Sequence, residues 1–260
     1  MKMKRKRRLP ALSVNKMIPN ILTLMAIAAG LTAIRFALQQ EWEYAILAIV
    51  AAAVLDTLDG RVARLLKGAS KFGAELDSLS DFVCFGVSPA MILYLWAMQD
   101  AGRGGWVLVM LFAMCMGLRL ARFNVALEDE NAPAWKVNFF TGVPAPAGAG
   151  LVLLPIVLSF QLGDSFFRSP WVVAFFLLVV GGLTVSAIPT YSFKKLKIAR
   201  QWVLPTMLIV AGLVAFIVSV PWFTLSAILI AYICSIPISY QAHARLQAKT
   251  PSSGDQTSLF

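Results

Sequence analysis

The chain has 260 residues, of which 59% are hydrophobic and 14% charged, with a mean hydropathy of +0.75 and a formal net charge of +10. This composition is too apolar for a soluble globular domain of that length, and it indicates a polytopic membrane protein. The positive charge is densest in the first eight residues, six of which are Lys or Arg, which predicts a basic juxtamembrane segment over residues 1–18. Such a segment favours contact with anionic lipid headgroups over contact with nucleic acid.

Apolar runs follow, each near the ~20 residues that a helix needs to cross a bilayer. They predict an all-α transmembrane bundle of about eight helices, forming one membrane domain over residues 19–241. The predicted spans are 20–38, 42–58, 79–98, 105–123, 142–160, 170–189, 202–219 and 222–240. The polar composition of residues 242–260 predicts a disordered tail.

The distribution of Lys and Arg predicts the orientation of these spans. With the N-terminus in the cytoplasm, 20 of the 23 basic residues fall on the cytoplasmic side, and only Arg35, Arg103 and Arg168 fall outside. We therefore expect both termini in the cytoplasm and a multi-pass protein of the cell inner membrane. Val220 and Pro221 leave a very tight turn for the last hairpin, so a six-helix alternative remains open.

Four aspartates stand in two pairs, Asp56 with Asp59 at the end of the second span and Asp77 with Asp81 at the start of the third. The spacings of three and four residues put each pair on one face of a helix. The first pair ends one apolar run and the second begins the next, so an antiparallel helix pair brings all four carboxylates together at the membrane surface. Salt bridges with neighbouring basic residues are one explanation. The other is a site for two hard cations, Mg²⁺, Mn²⁺ or Ca²⁺, that bridge a pyrophosphate.

The full spacing decides between these explanations. It reads D-x2-D-G-x2-A-R-x8-G-x3-D-x3-D, and it resembles the signature of the CDP-alcohol phosphotransferase family at every position: Asp56, Asp59, Gly60, Ala63, Arg64, Gly73, Asp77 and Asp81. The resemblance implies that Asp56, Asp59 and Asp77 are the main metal ligands. It implies that Asp81 also touches a metal and acts chiefly as the catalytic base on the acceptor hydroxyl, with the active site facing the cytoplasm.

The same resemblance implies a binding site for the CDP part of the donor. Gly60, Ala63 and Gly73 have little or no side chain and leave room for the cytidine, while the planar fork of Arg64 suits a phosphate. The start of the first span, P-N-x-x-T from Pro19 to Thr23, also resembles the family, and Asn20 is expected to approach the nucleotide.

Three later stretches, LRLARFN (118–124), FFTGVPAPAG (139–148) and VSAIPTYSFKK (185–195), resemble the serine-using members of the family. This resemblance implies transfer of a phosphatidyl group from CDP-diacylglycerol to L-serine. Ala145 and Ala187 depart from those members, which commonly have Ser or Thr and Arg there. Serine needs a cation and a hydrogen-bond acceptor near Asp81. The candidate residues are Arg119, Arg122, Asn124, Thr141 and Lys194, although the positive-inside rule alone also explains the basic ones.

Two other functions fit parts of this pattern. The same chemistry can use another alcohol, such as glycerol 3-phosphate, an inositol phosphate or choline. A cation transporter can also use an aspartate cluster, but its ion site is expected nearer the bilayer midplane than the end of a span. Members of the family are often homodimers, and the sequence leaves that possibility open.

Overall fold

The computed structural model describes residues 14–66, 68, 70–128, 139–186, 189–191 and 203–249. It confirms the predicted helical architecture. In chain order the α-helices are α1 Val14–Leu38, α2 Trp42–Leu65, α3 Lys71–Asp81, α4 Ser88–Leu93, α5 Gly102–Glu128, α6 Ala145–Val152, α7 Leu154–Leu162, α8 Asp164–Phe167, α9 Pro170–Val185, α10 Val203–Ser219 and α11 Pro221–Lys249.

Helices α3, α4 and α5 form one long helical stretch that reverses at Gly102. Two π-helical segments, Phe82–Val87 and Tyr94–Met98, and a 3₁₀ turn, Gln99–Ala101, connect them. Gly102 has a φ of +58°, which glycine adopts without strain. After this reversal α5 packs back along the first half: a Cβ added at Gly117 would lie 3.2 Å from the Phe82 ring. The stretch is therefore a helical hairpin.

Among the described residues, two stretches are long and apolar enough to cross a membrane, Met17–Leu38 and the hairpin-containing Lys71–Ala126. The pair α6 and α7, bent by 40°, would add a third if it counts as one span, and shorter apolar helices lie at Pro170–Val185 and Pro221–Ile236. These helices agree with a membrane protein. The count of about eight spans and the cytoplasmic position of both termini stay predictions.

Several helices extend beyond the predicted spans. Helix α1 begins at Val14, within the segment predicted as juxtamembrane, and α2 continues to Leu65, seven residues past its predicted end at 58. Helix α11 continues to Lys249, so residues 242–249 of the predicted tail are helical. Residues 250–260 lie outside the described part of the chain.

A short antiparallel ribbon adds to the helices. Strand β1, Phe139–Thr141, pairs with β2, Pro189–Tyr191, with Phe140 opposite Thr190. The sequence predicts no strand there: the ribbon lies almost wholly between predicted spans, and a strand of three residues is too short to produce a recognisable alternation of polar and apolar residues.

Helix α1 packs closely against both helices that carry the aspartates. Small residues of these helices are fully buried, among them Ala26 and Ala33 of α1 and Ala52 of α2. On the side towards α3, a Cβ added at Gly30 would lie 2.9 Å from the sulfur of Cys84. Small residues let helix backbones approach closely in a membrane. As a result α1 forms a wall beside the aspartates of α2 and α3.

Candidate active site

Three carboxylates from two helices form the acidic cluster. Asp56 and Asp59 of α2 and Asp77 of α3 each offer an oxygen within 4.8 Å of the other two. Asp59 is only 3% exposed. Carboxylate oxygens are hard ligands, so the donor set and its spacing fit a divalent cation. Without one, like charges this close would destabilise the helix pair.

Asp81 lies beside this cluster and is not a member of it. Its carboxyl group contacts that of Asp56, and its Oδ1 is buried without a hydrogen-bond partner among the described residues. Buried polar atoms in folded proteins are almost always paired. An unpaired oxygen at this point therefore suits a ligand that brings its own hydrogen-bond donor, such as a hydroxyl group.

Thr23 of α1 orients the most buried ligand. Its Oγ1 donates a hydrogen bond of 2.7 Å to Asp59 Oδ2 and also lies 3.0 Å from the carbonyl oxygen of Pro19. The backbone carbonyl of Thr23 accepts a hydrogen bond of 3.4 Å from Ser80 on α3. The sequence analysis names Thr23 only as part of the P-N-x-x-T start. Its contact with Asp59, 36 residues away, could not be predicted from spacing.

We expect Thr23→Val to weaken metal binding without unfolding the chain, because valine keeps the shape and removes only the hydroxyl. Loss of a hydrogen bond that orients a ligand typically costs about tenfold or more in metal affinity. Titrating Mn²⁺ against activity should therefore show a half-saturating concentration raised by about tenfold or more. Thr32→Val is the matched control, since Thr32 also lies on α1 but is exposed and bonds only the carbonyl of Ala28. An unchanged titration of Thr23→Val would contradict this role.

A cleft of 220 Å³ opens next to the acidic cluster. Asp59 and Asp77 line it together with all five residues predicted to bind CDP: Asn20, Gly60, Ala63, Arg64 and Gly73. A Cβ added at Gly60 would meet nothing within 4 Å. Helix packing therefore does not require glycine there, and the bare backbone faces open space.

Gly73 is glycine for a different reason. A Cβ at this position would lie 3.0 Å from Asn20 Oδ1 and 3.2 Å from Ser70 Oγ. The Ser70 side chain caps α3 by accepting a hydrogen bond of 3.0 Å from the backbone N–H of Gly73. The missing side chain thus lets Asn20 of α1 approach the capped start of α3, and this contact narrows the cleft.

Three of the predicted serine-binding residues, Arg119, Arg122 and Asn124, donate hydrogen bonds to other groups of the protein. Arg119 Nε donates to the carbonyl oxygen of Val143 at 2.7 Å, and Asn124 Nδ2 donates to Ser78 Oγ at 2.9 Å. Arg122 donates to the carbonyl oxygens of Val185 and Ser186 at the end of α9. Thr141 is described by its backbone alone, in β1, and Lys194 lies outside the described residues.

Arg119 is the basic residue that the structure brings towards the aspartates. It is 8% exposed, and its charge interacts with the carboxyl group of Asp81 and with Tyr232 of α11. A guanidinium group buried to this degree needs partners, and the Val143 carbonyl supplies one. Helix α5 therefore places a positive charge within electrostatic reach of the Asp81 carboxyl group.

Comparisons with known proteins agree with the motif. Residues 16–184 match the family model described as CDP-alcohol phosphatidyltransferase, and residues 201–237 match the one described as CDP-alcohol phosphatidyltransferase 2. The CDP-diacylglycerol–serine O-phosphatidyltransferase of Mycobacterium tuberculosis is 40% identical over 87% of this chain and 79% of its own length. Proteins of the same name from Helicobacter pylori and Bacillus subtilis are 36% and 35% identical over 70% and 68% of this chain, covering 74% and 92% of their own lengths. The chain therefore belongs to the CDP-alcohol phosphatidyltransferase family.

Proposed function

We propose that this protein is a metal-dependent phosphatidylserine synthase, which transfers a phosphatidyl group from CDP-diacylglycerol to L-serine and releases CMP. The observation that carries the proposal is the shared cleft, in which Asp59 and Asp77 stand beside Gly60 and Arg64. One wall suits a flat base and the other suits the cations that accompany a pyrophosphate. The names of the relatives support serine as the acceptor alcohol.

The donor nucleotide occupies the cleft in this proposal. The open backbone at Gly60 and the small side chain of Ala63 leave space for the cytosine ring, and Asn20 provides a hydrogen-bonding amide at the opposite wall. Arg64 lies at the same cleft with a planar guanidinium that matches a phosphate. Together these residues orient the nucleotide so that its phosphates point towards the acidic cluster.

Asp56, Asp59 and Asp77 would hold the divalent cations, and Asp81 would contribute a further contact. We propose Mg²⁺ or Mn²⁺, with Ca²⁺ also suited to these oxygen ligands, and two ions in each active site. When bound, the cations would neutralise charge on the pyrophosphate and stabilise the phosphate group of CMP as CMP leaves.

Asp81 acts as the general base in the proposed reaction. Its carboxylate removes the proton of the serine hydroxyl, whose oxygen forms a bond to the β-phosphorus as the bond from that phosphorus to the CMP oxygen breaks. A base must lie within hydrogen-bonding reach of the hydroxyl, and the buried, unpaired Oδ1 offers such a position. Arg119 supplies the positive charge that we assign to the serine carboxylate. Thr141 and Lys194 remain proposed contacts.

An apolar groove suits an acyl chain of the donor. It has a volume of 480 Å³ and runs along α2 as far as Arg61. One side is lined by residues of α2: Ile49, Ala53 and Thr57. The other side is formed by Phe85 and by residues of α6 and α11, including Gly150 and Leu229. The end of the groove at Arg61 thus lies on the same helix as Asp56 and Asp59. We propose that the lipid enters sideways from the inner leaflet, with one chain in this groove.

Filling the groove should discriminate between donors. We expect Ala53→Trp to lower kcat/KM by about tenfold for a long-chain donor, since loss of contact with two methylenes at ~0.8 kcal/mol each has that effect. A short-chain donor that does not reach the groove should be used normally. Ala28→Trp on the exposed side of α1 is the control, and it should affect neither donor. Equal use of both donors by Ala53→Trp would rule out the groove.

We place the active site at the cytoplasmic face of the inner membrane, in a multi-pass protein with both termini inside. The excess of basic residues on that side supports this orientation, and serine and CMP are soluble in the cytoplasm. Membrane lipid surrounds the protein and supplies the donor.

The acceptor is tested by CMP release from the purified protein with CDP-diacylglycerol and Mn²⁺ or Mg²⁺. L-serine is compared with glycerol 3-phosphate, an inositol phosphate and choline, and a chelator provides the metal-free control. Release with serine alone would support the proposal. Release only with another alcohol would keep the aspartate chemistry and overturn serine as acceptor. Cation uptake by sealed proteoliposomes without any CMP release would favour transport instead.

A further inference from the structure

Arg122 is bound to the end of a neighbouring helix. Its Nη1 and Nη2 donate hydrogen bonds of 3.0 Å each to the carbonyl oxygens of Val185 and Ser186. Helix α9 ends at Val185, and the last carbonyl groups of a helix have no partner within it. A cation is also favoured at the negative end of the helix dipole. The two nitrogens that could grip a serine carboxylate therefore cap α9 instead.

The capped end of α9 contacts the Gly142–Val143 turn, which precedes α6. The backbone N–H of Val143 donates to the carbonyl oxygen of Leu183 at 3.4 Å. Gly142 has a φ of +83°, and a Cβ there would lie 2.6 Å from the carbonyl oxygen of Thr184 and 2.9 Å from that of Ser186. The Gly142–Val143 turn thus rests on α9 with no room for a side chain, against the same Ser186 carbonyl that Arg122 binds.

The Gly142–Val143 turn in turn provides the hydrogen-bond acceptor for Arg119. The Val143 carbonyl accepts the 2.7 Å hydrogen bond from Arg119 Nε, and the Arg119 charge interacts with Asp81. Arg119 and Arg122 stand three residues apart on α5, so they face the same side of that helix. A continuous series of contacts therefore runs from Arg122 through the end of α9 and the turn to the residue beside the proposed base.

We propose that Arg122 is a positioning residue that holds the Gly142–Val143 turn, and through it Arg119, in place next to Asp81. This proposal rests on the proposed function only in one respect, namely that the acceptor alcohol binds beside Arg119 and Asp81. It replaces the expectation from sequence that Arg122 binds serine directly. Arg119 remains the group that meets the acceptor, and Arg122 acts on the reaction through the backbone.

Substitutions at Arg122 separate the two roles. Lysine keeps the charge but not the fork that spans two carbonyls, so we expect Arg122→Lys and Arg122→Gln to lose activity alike. The loss of a bidentate, charge-assisted contact should lower kcat/KM for the acceptor by about tenfold or more. Affinity for CDP-diacylglycerol should be unchanged, which also shows that the variants fold. Nearly full activity of Arg122→Lys with a large loss in Arg122→Gln would mean that the charge itself binds the acceptor and would overturn the proposal.

A double-mutant cycle tests whether the turn transmits the effect. Gly142→Ala disturbs the same contact from the other side, so the double variant Arg122→Gln/Gly142→Ala should be no worse than the poorer single variant. Residues that act through one contact are non-additive, whereas independent effects on kcat/KM multiply. Multiplying losses would therefore overturn the proposal. Arg103→Gln, at the opposite end of α5 and exposed, is the control and should leave the kinetics unchanged.

Hydrogen exchange gives a readout that does not depend on the acceptor. Arg122→Gln should exchange faster than the wild type in peptides covering residues 142–150 and 180–186, while peptides of α2 stay protected. Arg103→Gln should match the wild type throughout. Unchanged exchange in the first two peptides would overturn the proposed contact even if serine is confirmed as acceptor. If serine fails as acceptor, faster exchange still supports the contact, and the kinetic cycle is run with the alcohol that works.

Discussion

Asp59→Ala should abolish both donor binding and turnover, lowering kcat/KM by at least about a thousandfold, because metal stabilisation of the reacting phosphate is worth several kcal/mol. Asp59 is the most buried member of the acidic cluster and the one that Thr23 orients. Its removal leaves Asp56 and Asp77 without their third partner. Since the same side chain lines the nucleotide cleft, the donor loses its site together with the cations.

The effect of Asp59→Ala is best measured by binding before turnover. Titration with CDP-diacylglycerol in the presence and absence of Mn²⁺ should show metal-dependent binding in the wild type and none in the variant. Glu75→Ala removes an exposed acid from α3, two residues from Asp77, and should bind and turn over normally. Full metal-dependent binding by Asp59→Ala would contradict a site shared by metal and donor.

Asp81→Asn should separate binding from catalysis. Asparagine keeps the size of the side chain but cannot accept the proton of the alcohol, and general-base catalysis contributes about a hundredfold to ten-thousandfold. We therefore expect kcat to decrease by at least about a hundredfold, while the affinity for the donor stays near that of the wild type. The position of Asp81 outside the three-carboxylate cluster is the physical reason for this difference.

Asp77→Asn is the comparison that gives the Asp81 result its meaning. It makes the same chemical change one helical turn earlier, on a residue of the cluster, and should impair metal-dependent donor binding as well as turnover. Single-turnover assays with saturating donor distinguish the two variants, because only Asp81→Asn should bind donor and stall. Normal turnover by Asp81→Asn would show that another group acts as the base.

The sequence predicts well that the aspartates and the proposed CDP-binding residues share helix faces, because regular spacing reports directly on those faces. Gly60, Ala63 and Arg64 follow Asp59 within two turns of α2, so their common orientation is a property of the helix itself. The packing of both α2 and α3 against α1 then brings Asp56, Asp59 and Asp77 together, and α1 also supplies Asn20 to the cleft.

Contacts between distant parts of the chain are what spacing cannot supply. The sequence gives Arg119 and Arg122 as cations of one helix face, but their partners at Val143, Val185 and Ser186 are backbone carbonyls more than 20 residues away. Backbone groups carry no signature in the sequence, so a basic residue that caps a helix looks the same as one that awaits a substrate. The hydrogen bond from Thr23 to Asp59 joins two side chains 36 residues apart, and spacing within one helix does not report on such a contact.

The lining of the cleft runs only from Pro19 to Asp77, whereas the hydrogen bonds of Arg119 and Arg122 go to backbone groups of residues 143–186. On the proposed function, recognition of the nucleotide and positioning of the alcohol would then be encoded in successive, separate parts of the gene. During evolution, substitutions in the later part can exchange one alcohol for another while the earlier part stays intact. Swapping the two parts between relatives is accordingly a rational route to enzymes that make new lipid headgroups.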